Sequence, residues 1–559
     1  MTNQRRRRHP YRRRKSFFQD AISSSEHDVK NRTPVLQKGV KNRNHEDKSH
    51  ATRHLLQAIL VEFVGTFMLT LTVGLAVNQS STSGQNSAPA AIGVMLAVLV
   101  YMGAYISGAH YNPAVTVALY LRGKLSLKTL VAYVSFQILG GLAGAGIAKA
   151  ILKGSDISMA AFAPNDTVYP DGTIFAMETM WSFLLVFSVL QCASTKIYAG
   201  NSFFGIVIGL SVTVGAYNTG SISGAALNPA VGLGMCAFSN SMEHVWLYIV
   251  GPVLGSLFAV FFFSVTAEDI EFVDMERPVL VPQFRDSMRK LPHHAKSLVI
   301  EFIGTAFLCL AVAMNPIAVA STGVHPGFPI GITLMIVIYA GGHISGAHYN
   351  PAVTLAIFLR GDVSPGKAPI VIGYIVAQLF GGWIGALIGH EACADAGVVS
   401  GYPRLGDKVG TGSAFFVEYF VTFVLCGVVL NVATTKSLKN NSYFGGAIGG
   451  TVIAGAIAVG GYSGGAFNPA VGTTTTTVNS GSDYYDEKIW LYWLAPLCAG
   501  ASSALFFRLT APSSEWIKDE DDGHPSTASS TVVDSATVVP VSKSSQSTAE
   551  TTHEDASKV

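Results

Sequence analysis

Long apolar runs alternate along the chain with short polar breaks. Apolar stretches run over 54–77, 90–106, 127–152, 174–193, 203–217 and 245–265, and again over 295–318, 328–343, 370–389, 413–432, 444–459 and 489–507. At ~1.5 Å per residue, each crosses most or all of a ~30 Å hydrocarbon core as a helix. The polar remainder falls at 1–53, 266–294 and 510–559. The first and last of these are rich in Arg, Lys, Ser and Thr, cannot bury a core, and are expected to be disordered tails. The pattern predicts an all-α membrane protein with two six-span units, 54–265 and 295–509, joined by a linker over 266–294.

A shorter element follows the second and fifth span of each unit. Ser107-Gly-Ala-His-Tyr-Asn-Pro-Ala-Val-Thr116 returns letter for letter over 345–354, and looser copies occupy 223–231 and 463–471. The shared core is Asn112-Pro113-Ala114, Asn228-Pro229-Ala230, Asn350-Pro351-Ala352 and Asn468-Pro469-Ala470. Asn is a strong N-cap, and Pro is favoured at the first helical position. The apolar run after each is short: a helix from Asn112 to Arg122 spans roughly 16 Å, about half the hydrocarbon core. Each unit therefore carries two half-spanning helices with an Asn at the buried tip.

The spacing shows a repeat. Asn112 and Asn350 stand 238 positions apart, and Asn228 and Asn468 stand 240 apart. Glu62, Glu178, Glu301 and Glu418 each lie in the first span of a three-span module, 49 or 50 positions before the Asn of that module. One module thus occurs four times. Three spans are an odd number, so consecutive modules are inverted in the membrane. Six spans per unit place both tails and the linker on one side. That side holds Arg122, Lys124, Lys196, Arg360, Lys436 and the N-terminal Arg runs, against Lys149, Lys153, Arg404, Lys408 and Lys488 opposite. The excess of positive charge puts the tails and linker in the cytosol. Asn78-Gln-Ser and Asn165-Asp-Thr then fall outside as glycosylation acceptors. Lys149 is expected to snorkel to the interface.

Composition narrows the class further. Of 559 residues 49% are hydrophobic and 13% charged, with mean hydropathy +0.39, which excludes a soluble globule. The runs Arg5–Arg8 and Arg12–Lys15 suit either anionic membrane lipid or a topology signal. None of the six cysteines has metal-ligand spacing, so no metal or cofactor is expected. No nucleic-acid partner and no enzyme activity are expected either.

In an inverted pair the two half-helices meet near the midplane. Their N-termini carry partial positive charge. The result is a narrow passage that offers hydrogen-bond donors to water or a neutral solute and repels cations.

These motifs resemble those of the aquaporins, the major intrinsic proteins. Each half carries the paired Asn-Pro-Ala signature, the Ser-Gly-Ala-His-x-Asn-Pro-Ala-Val-Thr context and the Glu-Phe-x-Gly-Thr opening (Glu62–Thr66, Glu301–Thr305). The resemblance implies two tandem aquaporin-like units, each of six transmembrane helices and two half-spanning helices. It implies that the four membrane carboxylates hydrogen-bond re-entrant backbone. It also implies a selectivity filter at Ile92, Ala216, Ala225 and Val231, and at Ile330, Ala456, Gly465 and Val471. The family usually has Arg where Val231 and Val471 stand. Glycerol channels have Asp where Gly232 and Gly472 stand.

The expected function is therefore a passive channel for water and small uncharged solutes. Urea, ammonia and hydrogen peroxide are favoured, glycerol less so, and ions and protons are excluded. The family assembles as four-pore tetramers, so self-association of two tandem chains is expected, with the plasma membrane favoured over the vacuolar membrane. A coupled secondary transporter and a closed-pore scaffold or adhesion protein are the alternatives. The threonines of 473–477 either line the pore or cap neighbouring backbone.

Overall fold

Each apolar run of the sequence is helical in the computed structural model, which describes residues 36–83, 86–155, 157–160, 162–268, 271, 291–362, 368–479, 488–512 and 515. The basic runs and the expected disorder of residues 1–35 and 516–559 lie outside these. In the first unit the spans are α1 (Leu36–Ser83), α2 (Ala88–Ser107), α4 (Leu127–Gly154), α5 (Asp171–Ser188, closed by a π-helical turn Val189–Ala193), α6 (Phe204–Ser223) and α8 (Val245–Thr266). Between them stand the half-helices α3 (Pro113–Leu121) and α7 (Pro229–Ser239). The second unit repeats the order with α9 (His293–Ala313), α10 (Asn315–Thr322), α11 (Gly327–Ser345), α13 (Ala368–Asp395), α14 (Thr411–Thr434), α15 (Phe444–Ser463) and α17 (Leu491–Thr510). Its half-helices are α12 (Pro351–Ile357) and α16 (Pro469–Val478). Among the described residues eleven helices are long and apolar enough to cross a membrane. The 20-residue α17 takes the place that α8 holds in the first unit.

The half-helices leave in opposite directions. At the C-terminal end of α3, Arg122 donates to Glu271, just beyond α8, at 2.9 Å and lies 4.3 Å over the Phe263 ring. At the far side Lys149, near the end of α4, donates to Phe238 O in the last turn of α7 at 2.8 Å. A cation at a helix C-terminus meets the negative end of the dipole. Lys149 thus caps the C-terminal end of α7.

Three differences from the sequence reading have local causes. The helix of the first span begins at Leu36, so residues 36–53 are helical where disorder is expected; Lys, Arg, Gln and Leu are good helix formers and extend it. Asn78 is 3% exposed, donates to Gly74 O at 2.7 Å and accepts from Ala160 N at 2.9 Å, so as folded it presents no glycosylation acceptor. The apolar run over 295–318 is two helices, not one. Pro316 has no N–H and its ring crowds the preceding turn, so α9 ends at Ala313. Gly401 N from the facing loop then donates to the freed Ala313 carbonyl at 2.8 Å.

The units meet along a seam built by α5 and α6 against α9 and α11. These four spans are 72–78% buried, against 33–50% for the others. Phe203 stacks on Tyr339 at 4.5 Å, Tyr198 meets His343 at 4.7 Å, and Trp181 and Phe183 pack on Phe307. Beside the linker, His293 and Lys296 approach Glu268 at 3.3 and 3.7 Å. The His293 hydrogen bond, helped by the Lys296 charge, holds the Glu268 carboxyl below the usual carboxylate range.

Inside each unit, glycines let α4 lie on α1 and α13 on α9 with backbones touching. A Cβ at Gly385 would overlap the carbonyl oxygen of Ala306, and one at Gly381 that of Phe302. Close backbone approach of this kind is what holds helices together in lipid, where no hydrophobic drive separates helix from tail. Gly385→Ala is therefore expected to cost about 1–3 kcal/mol, seen as a lower thermal midpoint in detergent. Gly412→Ala, where no atom lies within 4 Å, should leave the midpoint unchanged or raise it.

Candidate functional site: two Asn-tipped cavities

The loop before each half-helix turns through backbone that only a fixed environment sustains. Gly108, Ala109 and Tyr111 have φ of +87°, +52° and +49°, and the other three loops repeat the pattern at Gly224, Ala225 and Leu227, at Gly346, Ala347 and Tyr349, and at Gly464, Gly465 and Phe467. A non-glycine residue in this region costs about 1–2 kcal/mol. Such backbone cannot satisfy its own N–H groups as a helix does.

The membrane carboxylates satisfy them. Glu62 accepts from Ser107 Oγ at 2.6 Å, His110 N at 3.0 Å, Tyr111 N at 2.7 Å and Gln137 Nε2 at 2.8 Å. Glu301 repeats the set with Ser345, His348, Tyr349 and Gln378 at 2.7–2.9 Å. Glu178 accepts from Ser223 Oγ, Ala226 N and Leu227 N at 2.6–3.0 Å, and Glu418 from Ser463 Oγ, Ala466 N and Phe467 N at 2.6–2.9 Å. All four carboxylates are fully buried.

Sequence reasoning missed the supporting residues. Gln137 and Gln378 tie Glu62 and Glu301 to Thr116 and Thr354. Tyr133, Tyr248, Tyr374 and Tyr492 donate their hydroxyls to the carbonyls of Ser107, Ser223, Ser345 and Ser463 at 2.5–2.9 Å. A glutamine in the middle of an apolar span was the available signal.

The clamped loops bring the Asn tips together in pairs. Asn112 Oδ1 accepts from Ala114 N at 2.9 Å, capping α3, while its Nδ2 donates across to Leu227 O at 2.9 Å. Asn228 caps α7 and donates to Tyr111 O at 2.9 Å. Asn350 and Asn468 cap α12 and α16 and cross to Phe467 O and Tyr349 O at 2.9 and 2.8 Å. A side-chain amide has two N–H groups, so each Asn keeps one beyond its cross-bond.

Each pair lines its own cavity. The first, about 290 Å³, is walled by Asn112, Asn228 and His110, and also by Ile92, Ala216, Ala225 and Val231. The second, about 550 Å³, is walled by Asn350, Asn468 and His348 with Ile330, Ala456, Gly465 and Val471. Every position expected in a filter therefore faces the cavity of its own unit. On the far side of the first unit a separate mouth of about 600 Å³ opens, and Ile92, Ala216 and Gly224 line both spaces. The boundary between them falls at those residues. None of the threonines 473–477 lines the second cavity. Thr473 and Thr477 accept from Trp493 Nε1 and Trp383 Nε1 at 2.7 Å, and Thr475 donates to Val471 O. Capping, not pore lining, is their arrangement.

A family model described as Major intrinsic protein matches this chain twice, over residues 49–263 and 287–507. The chain belongs to the major intrinsic protein family. It is an integral, multi-pass membrane protein built of two tandem aquaporin-like units, a channel architecture for water and small solutes. Curated relatives match a length of this chain equal to about one unit. A "Probable aquaporin NIP-type" of Nicotiana alata is 30% identical over 213 residues, 38% of this chain and 77% of that protein. "Nodulin-26" of Glycine max is 31% identical over 38% and 78% of the two chains. "Aquaporin PIP1-2" of Musa acuminata subsp. malaccensis is 33% identical over 39% and 80%. Among solved structures, the aquaglyceroporin from Plasmodium falciparum is 24% identical with a TM-score of 0.35, covering 37% of this chain and 95% of that one.

The clamp can be tested in this aquaporin-like chain at one carboxylate. Glu178→Gln turns an acceptor into a donor against Ala226 N or Leu227 N. About 1.5–3 kcal/mol is expected to be lost per charge-assisted hydrogen bond, as a lower thermal midpoint and reduced yield of folded protein. Ser223→Ala removes one donor, leaves both backbone bonds, and should cost less. Equal midpoints for Glu178→Gln and the unmodified chain would show that the loop keeps its shape unaided.

Proposed function

We propose that each unit is a separate passive pore for water and small uncharged solutes, with Asn112-Pro113-Ala114 facing Asn228-Pro229-Ala230 and Asn350-Pro351-Ala352 facing Asn468-Pro469-Ala470. The observation that carries this reading is the meeting of two Asn-capped helix N-termini in a cavity that no described Asp, Glu, Lys or Arg lines. Both positive helix ends point at one place, and the spare Asn N–H groups donate to a passing oxygen or nitrogen. A cation or proton meets a repulsive centre there, which supports exclusion of ions.

The filter residues offer no Arg and no His. Without a guanidinium filling the lumen at Val231 and Val471, urea, ammonia and hydrogen peroxide are proposed to pass beside water, glycerol less readily. A coupled transporter needs a charged or cation-holding site at the midplane, and among the described residues no cluster suits a metal ion. We place the pores in units 54–265 and 295–509, with the 266–294 linker and both tails in the cytosol and the plasma membrane favoured. No enzyme activity or cofactor forms part of this reading.

Stopped-flow swelling of proteoliposomes separates the alternatives. Fast water flux without an ion gradient is expected, and Ala216→Trp or Ala456→Trp should each remove roughly half of it by filling one lumen. Val231→Arg with Val471→Arg should cut urea flux far more than water flux. Flux that depends on an ion gradient would indicate a transporter, and none at all a scaffold.

We also infer that two chains associate. The seam joins the α5–α6 face of one unit to the α9–α11 face of the next, a head-to-tail contact that leaves α1–α2 and α14–α15 as the unmatched pair. Phe203 and Tyr339, stacked in the seam, are 6% and 4% exposed; their repeat counterparts Tyr443 and Tyr101 are 50% and 39% exposed. A second copy would stack these and close a ring of four pores. Mass measurement in mild detergent should give twice 59.0 kDa for protein, and Tyr443→Arg should give a single chain. A lone unmodified chain would remove the ring.

A further inference from the structure

The far-side mouth of the first pore is not built by the first unit alone. Val77, Pro89 and Phe162 line it, and so do residues 319–323 of α10, which belong to the second unit. The converse does not hold. Among the described residues, those that line the second cavity all come from the second unit.

The asymmetry starts at one residue. Val77 stands 239 positions before Pro316, the same offset as Glu62 from Glu301. With Val77 there, α1 runs on unbroken to Ser83, so the first unit has no matching helix to lend to the second mouth. With Pro316 there, α9 stops and a new helix starts, as Ile317 N and Ala318 N donate to Met314 O at 3.1 Å. Gly323, at φ +69°, closes that helix by donating to Val319 O at 2.8 Å. Ile317 and Ala318 are buried, and α10 lies against α6 of the first unit. Asn86 of the first unit donates to Ser321 O at 3.4 Å. A helix capped at its end and packed across the seam is a fixed wall, and the width of a mouth at a fixed wall limits what enters.

We propose that α10 of the second unit controls entry to the first pore, so that residues of both units set access to the first pore and only its own unit sets access to the second. This rests on the reading of each unit as a pore for water and small neutral solutes. Val319 and Ala320 line both spaces, whereas Ser321 and Thr322 line only the mouth of the first. The test uses the full chain with Cys498→Ser, which removes the exposed thiol and leaves five buried ones. Ser321→Cys is added, and water flux in proteoliposomes is compared with and without prior labelling by pyrenyl maleimide, so each variant is its own folding control. With Ala456→Trp present, flux passes the first pore alone and labelling should remove most of it. With Ala216→Trp present, flux passes the second pore alone and should be unchanged, although the label sits in the second unit. Ala320→Cys should lower flux in both chains once labelled, and it carries the test where Ser321→Cys disturbs folding. First-pore flux unmoved by a label at both positions overturns the shared entrance and leaves the channel reading standing. An unmodified chain without water flux would remove the channel reading and the shared entrance with it.

Discussion

Backbone that leaves helical geometry inside a bilayer must have its N–H groups accepted by the protein itself. The rest of this structure depends on how four glutamates meet that demand. Each reaches from the first span of its module to a loop 44–49 positions later and accepts from a serine hydroxyl and two consecutive peptide N–H groups. With the loop pinned, its left-handed residues hold their places and the Asn tip sits at a fixed depth. Only then can Asn112 cross to Leu227 O while Asn228 crosses to Tyr111 O. The cross-bonds tie two inverted modules at their centres, and the glycine contacts between α1 and α4 or α9 and α13 keep the carboxylates at the required distance.

That frame is common to both units, and the differences lie outside it. Cavity volumes, the lining of the far-side mouths and the course of the first span all diverge while the clamp geometry stays within tenths of an ångström. The helix α10 belongs to this variable layer. Its Val319 and Ala320 line the second cavity and also the far-side mouth of the first, and Asn86 of the first unit donates to Ser321 O at 3.4 Å. A single two-turn helix is thus the wall between two mouths.

Sequence carried the frame well because the frame is made of spacings. Four Asn-Pro-Ala motifs, four glutamates at constant offset and an odd span count determined inversion and pairing, and offsets alone brought Ile92, Ala216 and Val231 to one cavity. The variable layer was not legible in the same way. The run over 295–318 is apolar throughout, so hydropathy could not see the break at Pro316; Asn78 looked like a surface acceptor until its packing placed it inside. Gln137 and Gln378 carry no periodic signal, and their meaning appears only where three elements converge.

The seam has a consequence for supply. Single-unit channels of differing selectivity reach a membrane in whatever proportion their messages are translated and sorted. Here one continuous polypeptide holds two dissimilar units across α5, α6, α9 and α11, so synthesis delivers them in equal number. Their ratio cannot drift with expression level, turnover or trafficking, and neither can be withdrawn without the other.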